Sequence, residues 1–111
     1  MTPEEKLAAF RRFVDQRPGD AAARYALAMQ LGSMDRNAEA VEAFREVLRL
    51  EAGHVPALQQ LGKLLARMGE REEAMRVYEA GIAAAKGPKD DHARRKLGKW
   101  LEQLRAGGEK R

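Results

Sequence analysis

The ten residues EAVEAFREVL, 39–48, return with substitutions as EAMRVYEAGI, 73–82, at an offset of 34 residues. A period of about 20–50 residues marks a chain assembled from copies of one supersecondary unit, none of which buries its apolar face alone. Aligning residues 21–54 with 55–88 pairs Ala23 with Ala57, Leu27 with Leu61, Leu31 with Leu65 and Met34 with Met68. It also pairs Glu39 with Glu73, Ala40 with Ala74 and Gly53 with Gly87, and places Ala28 opposite Gly62, Phe44 opposite Tyr78 and Leu48 opposite Ile82. The matches fall mainly on small and apolar positions, where packing dictates the residue. Glu5, Phe10 and Gly19 carry the period backwards, and a two-residue insertion carries it forwards, from LGKLL at 61–65 to LGKWL at 97–101.

Each unit reads as two helices. Leu27, Leu31 and Met34 share one helical face, as do Leu61, Leu64, Leu65 and Met68; Ala40, Phe44, Val47 and Leu48 share the next, matched by Ala74, Tyr78 and Ile82. Ala, Leu, Glu, Arg and Lys dominate and aromatics make up only 5%, which favours helices over strands. Turn signals fall at MDRN and MGER within the units, and at RPGD, EAGHVP and KGPKDD between them. Gly19, Gly53 and Gly87 are placed to cap helix C-termini in the left-handed conformation, Pro56 to open a helix, and Asp20 and Asp90 or Asp91 to cap N-termini. The spacing predicts six helices, at 3–16, 21–33, 37–51, 55–68, 71–86 and 89–105.

The 34-residue helix–turn–helix period resembles the tetratricopeptide repeat. The likeness rests on Leu27-Ala28, Leu31, Ala40, Phe44 and Val47 in one unit, and on Leu58, Leu61-Gly62, Leu65, Ala74, Tyr78 and Gly81 in the next. It covers residues 4–105. Arg24 departs from it, standing where the family often has a bulky apolar residue, with Arg94 placed similarly in the last helix. The family's proline between units is kept only as Pro18, Ala52 and Lys86 holding the later places. The resemblance implies an all-α, right-handed α–α superhelix of about six antiparallel helices in a single domain, 1–111. Its parts would be a half-repeat at 3–19, repeats at 21–54 and 55–88, a capping helix at 89–105 and a disordered tail at 106–111.

No constellation in the chain suggests catalysis. His54 and His92 lie near predicted helix starts, cysteine is absent, and no HxxxH spacing or glycine-rich phosphate loop occurs. Ser33 and Thr2 are the only serine and threonine, and Ser33 has no base near it in sequence. The expectation is a non-enzyme with no cofactor and no metal. No apolar run approaches the ~20 residues of a membrane span, and the N-terminus lacks the pattern of a secretory signal, so the expected compartment is the cytoplasm. The Ala- and Arg-rich composition points to a GC-rich bacterial genome.

The net charge is +4, and residues 86–111 carry the excess, with 9 basic and 4 acidic groups. The resemblance implies a concave groove lined by the first helix of each unit: Ala22, Tyr25, Ala26 and Met29, then Gln59, Gln60, Lys63 and Arg67, then Arg95, Lys96 and Lys99. Such a face suits a protein or peptide partner with an apolar anchor and acidic residues or a free carboxylate. The Lys, Asn and Arg clamp that some family members use for chaperone tails is not kept, since Tyr25 and Met29 stand in its first-unit positions. Three alternatives stay open at this point. Tyr25 and Met29 pack against the first helix around Phe10 and Phe13. The last helix, with its stripe of Leu97, Trp100, Leu101 and Leu104, either closes the stack as a polar cap or brings Trp100 to a partner or a second copy, giving a monomer or a weak homodimer. Its basic surface binds nucleic acid, against which stand the few aromatics and the lack of a nucleic-acid motif. If the register is right, Phe44→Ala or Tyr78→Ala leaves a cavity costing ~3–5 kcal/mol, and a thermal melt that does not move on either substitution would refute it.

Overall fold

The computed structural model describes residues 1–109, with side chains as far as residue 107. Six α-helices follow one another: α1 Pro3–Gln16, α2 Ala21–Ser33, α3 Asn37–Leu50, α4 Val55–Arg67, α5 Arg71–Ala84 and α6 Asp91–Glu109, with a 3₁₀ turn at Pro88–Asp90 before the last. Among the described residues there is no strand. The chain gathers into two compact units, Met1–Ala52 and Gly53–Arg111. In the first, α2 packs against both α1 and α3; in the second, α5 packs against both α4 and α6. Leu7, Val14, Ala28, Leu31, Ala40, Val41, Phe44 and Val47 are buried in the first, and Ala57, Leu58, Leu61, Leu64, Leu65, Ala74, Tyr78, Leu97 and Leu101 in the second.

The sequence period reappears in the backbone hydrogen bonds. Asp35 and Arg36 donate to the carbonyls of Gly32 and Leu31, and Gly69 and Glu70 donate to those of Ala66 and Leu65, each group 34 positions on from its counterpart. Arg17, Glu51 and Ala85 close α1, α3 and α5 by donating to Phe13, Val47 and Gly81. The N-termini obey the same rule. Asp20 Oδ1 accepts from the N–H groups of Ala22 and Ala23 at 2.9 and 3.2 Å, and at the matching place His54 Nδ1 accepts from Ala57 N–H at 3.1 Å. His54, near a predicted helix start, is thus a half-buried helix cap. Thr2 and Glu5 form a reciprocal capping box at α1, and these bonds hold the Glu5 carboxyl below its usual pKa.

Several expected boundaries differ. Positive φ occurs among the described residues at Asp35 and Gly69, 57° and 82°, and not at Gly19, Gly53 or Gly87. The tight turns within the helix pairs need the left-handed conformation; the turns after α1, α3 and α5 leave the helix through extended ψ values of 67°, 87° and 71°, open to any residue. α5 stops at Ala84, short of 86, because Pro88 starts a 3₁₀ turn. Asp90 does not cap α6 but reaches back to accept from Gly87 N–H at 3.2 Å, and Asp91 pairs with Arg94 and Arg95. α6 runs on through residues 106–109, placed by sequence in a disordered tail; no proline interrupts it, and each new N–H finds a carbonyl four residues back. Residues 110 and 111 of that tail lie outside the described residues.

Two close approaches fix the second unit. A Cβ on Gly62 would lie 2.3 Å from Tyr78 Cε1 and 2.6 Å from Cδ1, and one on Gly81 would lie 2.9 Å from Leu97 Cδ1. The Tyr78 ring therefore rests directly on the α4 backbone. Gly62→Ala is expected to destabilise the fold by ~1–3 kcal/mol through overpacking, despite the better helix propensity of alanine. Urea unfolding measures this, and a variant as stable as the parent would show that the ring relocates freely.

Candidate functional site

α4 and α6 bring the basic residues of the second unit together. On α4, Ala57, Leu58, Leu61, Leu64 and Leu65 take the buried face, which leaves Lys63 and Arg67, one turn apart, exposed on the same side. On α6, Leu97 and Leu101 pack on Tyr78, and Trp100 and Leu104 flank that contact partly buried. The Tyr78 and Trp100 ring centroids are 5.7 Å apart at a tilt of 44°. Lys63 Nζ stands 5.3 Å from the centroid of the Trp100 ring and Lys96 Nζ 5.4 Å, both within cation–π range.

These side chains enclose a cleft of about 260 Å³ lined by Lys63, Ala66, Arg67, Tyr78, Trp100, Gln103 and Leu104. Its surface is mainly apolar and its rim is cationic. Lys63, Arg67, Lys96 and Lys99 form no ion pair among the described residues, whereas Arg95 binds Asp91 at 3.1 Å and Arg94 binds both Asp91, at 2.6 Å, and the carbonyl of Ala85. Burial raises the pKa of the Tyr78 hydroxyl above its ordinary value, with the Arg67 guanidinium opposing the shift. The arrangement can hold an apolar side chain and an anion together.

The first unit is differently charged. Its cleft of about 430 Å³, beside Leu27 and Leu31, is edged by Arg11, Arg24, Glu39, Glu42 and Glu46. Its charges largely satisfy one another: Arg11 with Glu39 at 3.3 Å, Arg36 with Glu39 at 2.9 Å, Arg24 with Glu46 at 3.9 Å. The Arg36 hydrogen bonds hold the Glu39 carboxyl below its usual pKa, and Arg11 adds to the effect. Tyr25 stands edge-on to Phe44 at 6.0 Å, and burial raises its pKa; Met29 and Phe13 are exposed.

Of the residues expected to line a groove, Lys63, Arg67 and Lys96 meet at Trp100. Gln59 and Gln60 are half-buried on α4 outside the cleft lining, Lys99 is exposed and also outside that lining, and Arg95 is turned to Asp91. Tyr25 and Met29 belong to the first unit. Sequence reasoning did not assign Ala66, Tyr78, Gln103 and Leu104 to a site, and left Trp100 between cap and interface. The available signal was LGKLL against LGKWL, which puts a half-buried indole where the preceding copy has the buried Leu64. Among the described residues no cluster of His, Asp and Glu could hold a metal ion, and no helix is long and apolar enough to cross a membrane.

A family model for the tetratricopeptide repeat matches residues 33–99, more than half of the chain. Among solved structures, the chain is similar to the type III secretion chaperone SycD of Yersinia enterocolitica in complex with a peptide of the translocator YopD. The TM-score is 0.89 at 14% identity, over 96% of this chain and 82% of that one. It is similar to the TPR2B domain of yeast Sti1 in its pHsp70 complex, with a TM-score of 0.82 at 14% identity, over 91% and 81% of the two chains. A tetratricopeptide repeat domain protein of Salinibacter ruber aligns with a TM-score of 0.72 at 26% identity, over 78% and 88%. The first two are likenesses of fold. No curated protein sequence matches the chain.

Both tyrosine hydroxyls have raised pKa values, so neutral tyrosine stabilises the fold below the unfolded value of about 10 and that contribution is lost as pH rises through the folded-state pKa. Tyrosinate absorbance of the native chain is expected to develop at higher pH than that of the chain in denaturant. Coincident curves would mean that neither ring is desolvated.

Proposed function

The chain belongs to the tetratricopeptide repeat family, and from that premise we propose that it is a non-catalytic adaptor that binds a peptide segment of another protein. A fold alone does not assign a function. The observation that carries the reading is the cleft at Trp100, an apolar slot whose rim holds Lys63, Arg67 and Lys96 without ion-pair partners among the described residues. Partly exposed aromatic surface beside unpaired cations suits a partner with an apolar anchor and acidic groups. Two structures of similar fold are complexes with a partner, SycD with a peptide of the translocator YopD and the Sti1 domain with pHsp70.

The partner-facing residues in this reading are Gln59, Gln60, Lys63, Arg67, Lys96 and Lys99 of the second unit, with Arg95 at their edge, and Tyr25 and Met29 of the first. Nucleic acid is the weaker reading, since Arg94, Arg95 and Arg105 of α6 are engaged by Asp91 and Glu79. Self-association through Trp100 is weaker too, since the indole packs within its own unit on Tyr78. The compartment that suits the reading is the cytoplasm.

The test is capture from native lysate with mass-spectrometric identification, using the parent chain beside a Gln60→Ala, Lys63→Glu, Lys99→Glu variant of unchanged helicity. A protein retained by the parent and lost by the variant is the expected result. Equal capture by both would remove these residues from the binding face, and recovery of nucleic acid alone would replace the adaptor reading.

A further inference from the structure

Within that adaptor reading, we propose that the Trp100 cleft recognises an acidic–apolar–acidic segment of the partner chain, with Lys63 and Lys96 acting as a displaceable cover over the indole. Three observations lead there. The cleft, about 260 Å³, lies below the roughly 300–1,000 Å³ of sites that enclose a small molecule, so it suits one side chain of a larger partner. Ala66, Tyr78, Trp100 and Leu104 give it an apolar interior. The two ammonium groups over the ring come from different helices, Lys63 from α4 and Lys96 from α6, at 5.3 and 5.4 Å.

Both lysines are exposed and neither has a carboxylate partner among the described residues. An exposed cation–π contact is weaker than a charge-assisted hydrogen bond to a carboxylate. A carboxylate brought to the rim therefore draws the ammonium group off the ring, and the flexible four-carbon stem of lysine lets it move. That uncovers the indole for an apolar side chain. Anion and anchor then bind cooperatively, because the first removes what shields the second. Cations drawn from two helices match acidic residues on both sides of the anchor, in a segment that runs across the cleft rather than ending in it. Arg95 takes no part, being paired with Asp91.

Trp100 is the only tryptophan, so its emission reports on the cleft directly. The probe is a capped Gly/Ser peptide carrying Glu-Leu-Glu at its centre, compared with the same peptide carrying Gln-Leu-Gln or Glu-Ser-Glu. Saturable change in emission is expected with the first, and about tenfold weaker binding with each of the others. The Lys63→Gln, Lys96→Gln double variant should lose most of the difference between the Glu-Leu-Glu and Gln-Leu-Gln peptides, keeping only what Arg67 at the rim contributes, while Lys89→Gln, on the 3₁₀ turn, keeps the full difference. Equal binding of the charged and uncharged peptides by the parent chain, or no emission change with any peptide, would overturn the proposal. So would stronger binding of N-acetyl-leucine, which offers a chain-terminal carboxylate, or of an oligothymidylate. If the double variant loses the peptide preference but still captures the lysate partner, the cleft is not where that partner binds, and the adaptor reading stands without this subsite.

Discussion

The second unit depends on one close contact, the Tyr78 ring lying against the α4 backbone where Gly62 has no side chain. The missing Cβ leaves room for the ring to seat directly on the α4 backbone. Once seated, Tyr78 presents one side to α4 and the other to α6, where Leu97 and Leu101 bury against it and Trp100 stacks at a tilt. The floor of the candidate site and part of the core are therefore the same residue. A substitution that moved Tyr78 would disturb the core and the cleft together, whereas the rim residues Lys63 and Lys96 are exposed and can be changed without touching the core. The first unit solves the equivalent position differently, with Ala28 in place of glycine and Phe44 in place of tyrosine. Both are buried, and the ring there carries no hydroxyl to desolvate.

The architecture was legible because its determinants are periodic. Small residues at Ala40, Ala74 and Gly62 and rings at Phe44 and Tyr78 are imposed by packing, and packing repeats when the unit repeats. Helix starts were read well where a cap has a distinctive side chain, as at Asp20. The cap at His54 was missed because histidine is an uncommon N-cap, yet its Nδ1 occupies the place of the Asp20 carboxylate. The glycines at 19, 53 and 87 misled because composition marks a turn without stating its φ; the turns that need positive φ have Asp35 and Gly69. The end of α6 was misread because a glycine pair weakens a helix without breaking it.

The site was less legible than the fold, for an electrostatic reason. Sequence gives the sign of each charge but not whom it faces. Arg95, Lys96 and Lys99 look alike along the chain, yet Arg95 lies one turn from Asp91 and is held there, while Lys96 turns to the indole. In the first unit Glu39 meets Arg11 as well as Arg36, and Arg24 meets Glu46. The net charge of +4 is thus a poor guide to the binding surface. What matters for the candidate site is which cations without a counter-charge among the described residues stand beside apolar surface, and Lys63, Arg67 and Lys96 on α4 and α6 do so at Trp100.

The two-residue insertion before α6 bears on that gathering. A strict 34-residue period would bring residue 98 into register with Leu64; the insertion brings Trp100 there instead. The extra length is taken up between the end of α5 and the start of α6, where Pro88–Asp90 forms a 3₁₀ turn closed by Asp90 on Gly87 N–H. Asp91, the first residue of α6, is also the group that engages Arg94 and Arg95. One short irregular segment therefore sets the register that places the indole over Tyr78 and removes two arginines from the free charge of α6. Lys96 is left to face Trp100 from one helix as Lys63 does from the other. The departure from the repeat, more than the repeat itself, separates the candidate cleft of this unit from the packing that both units share.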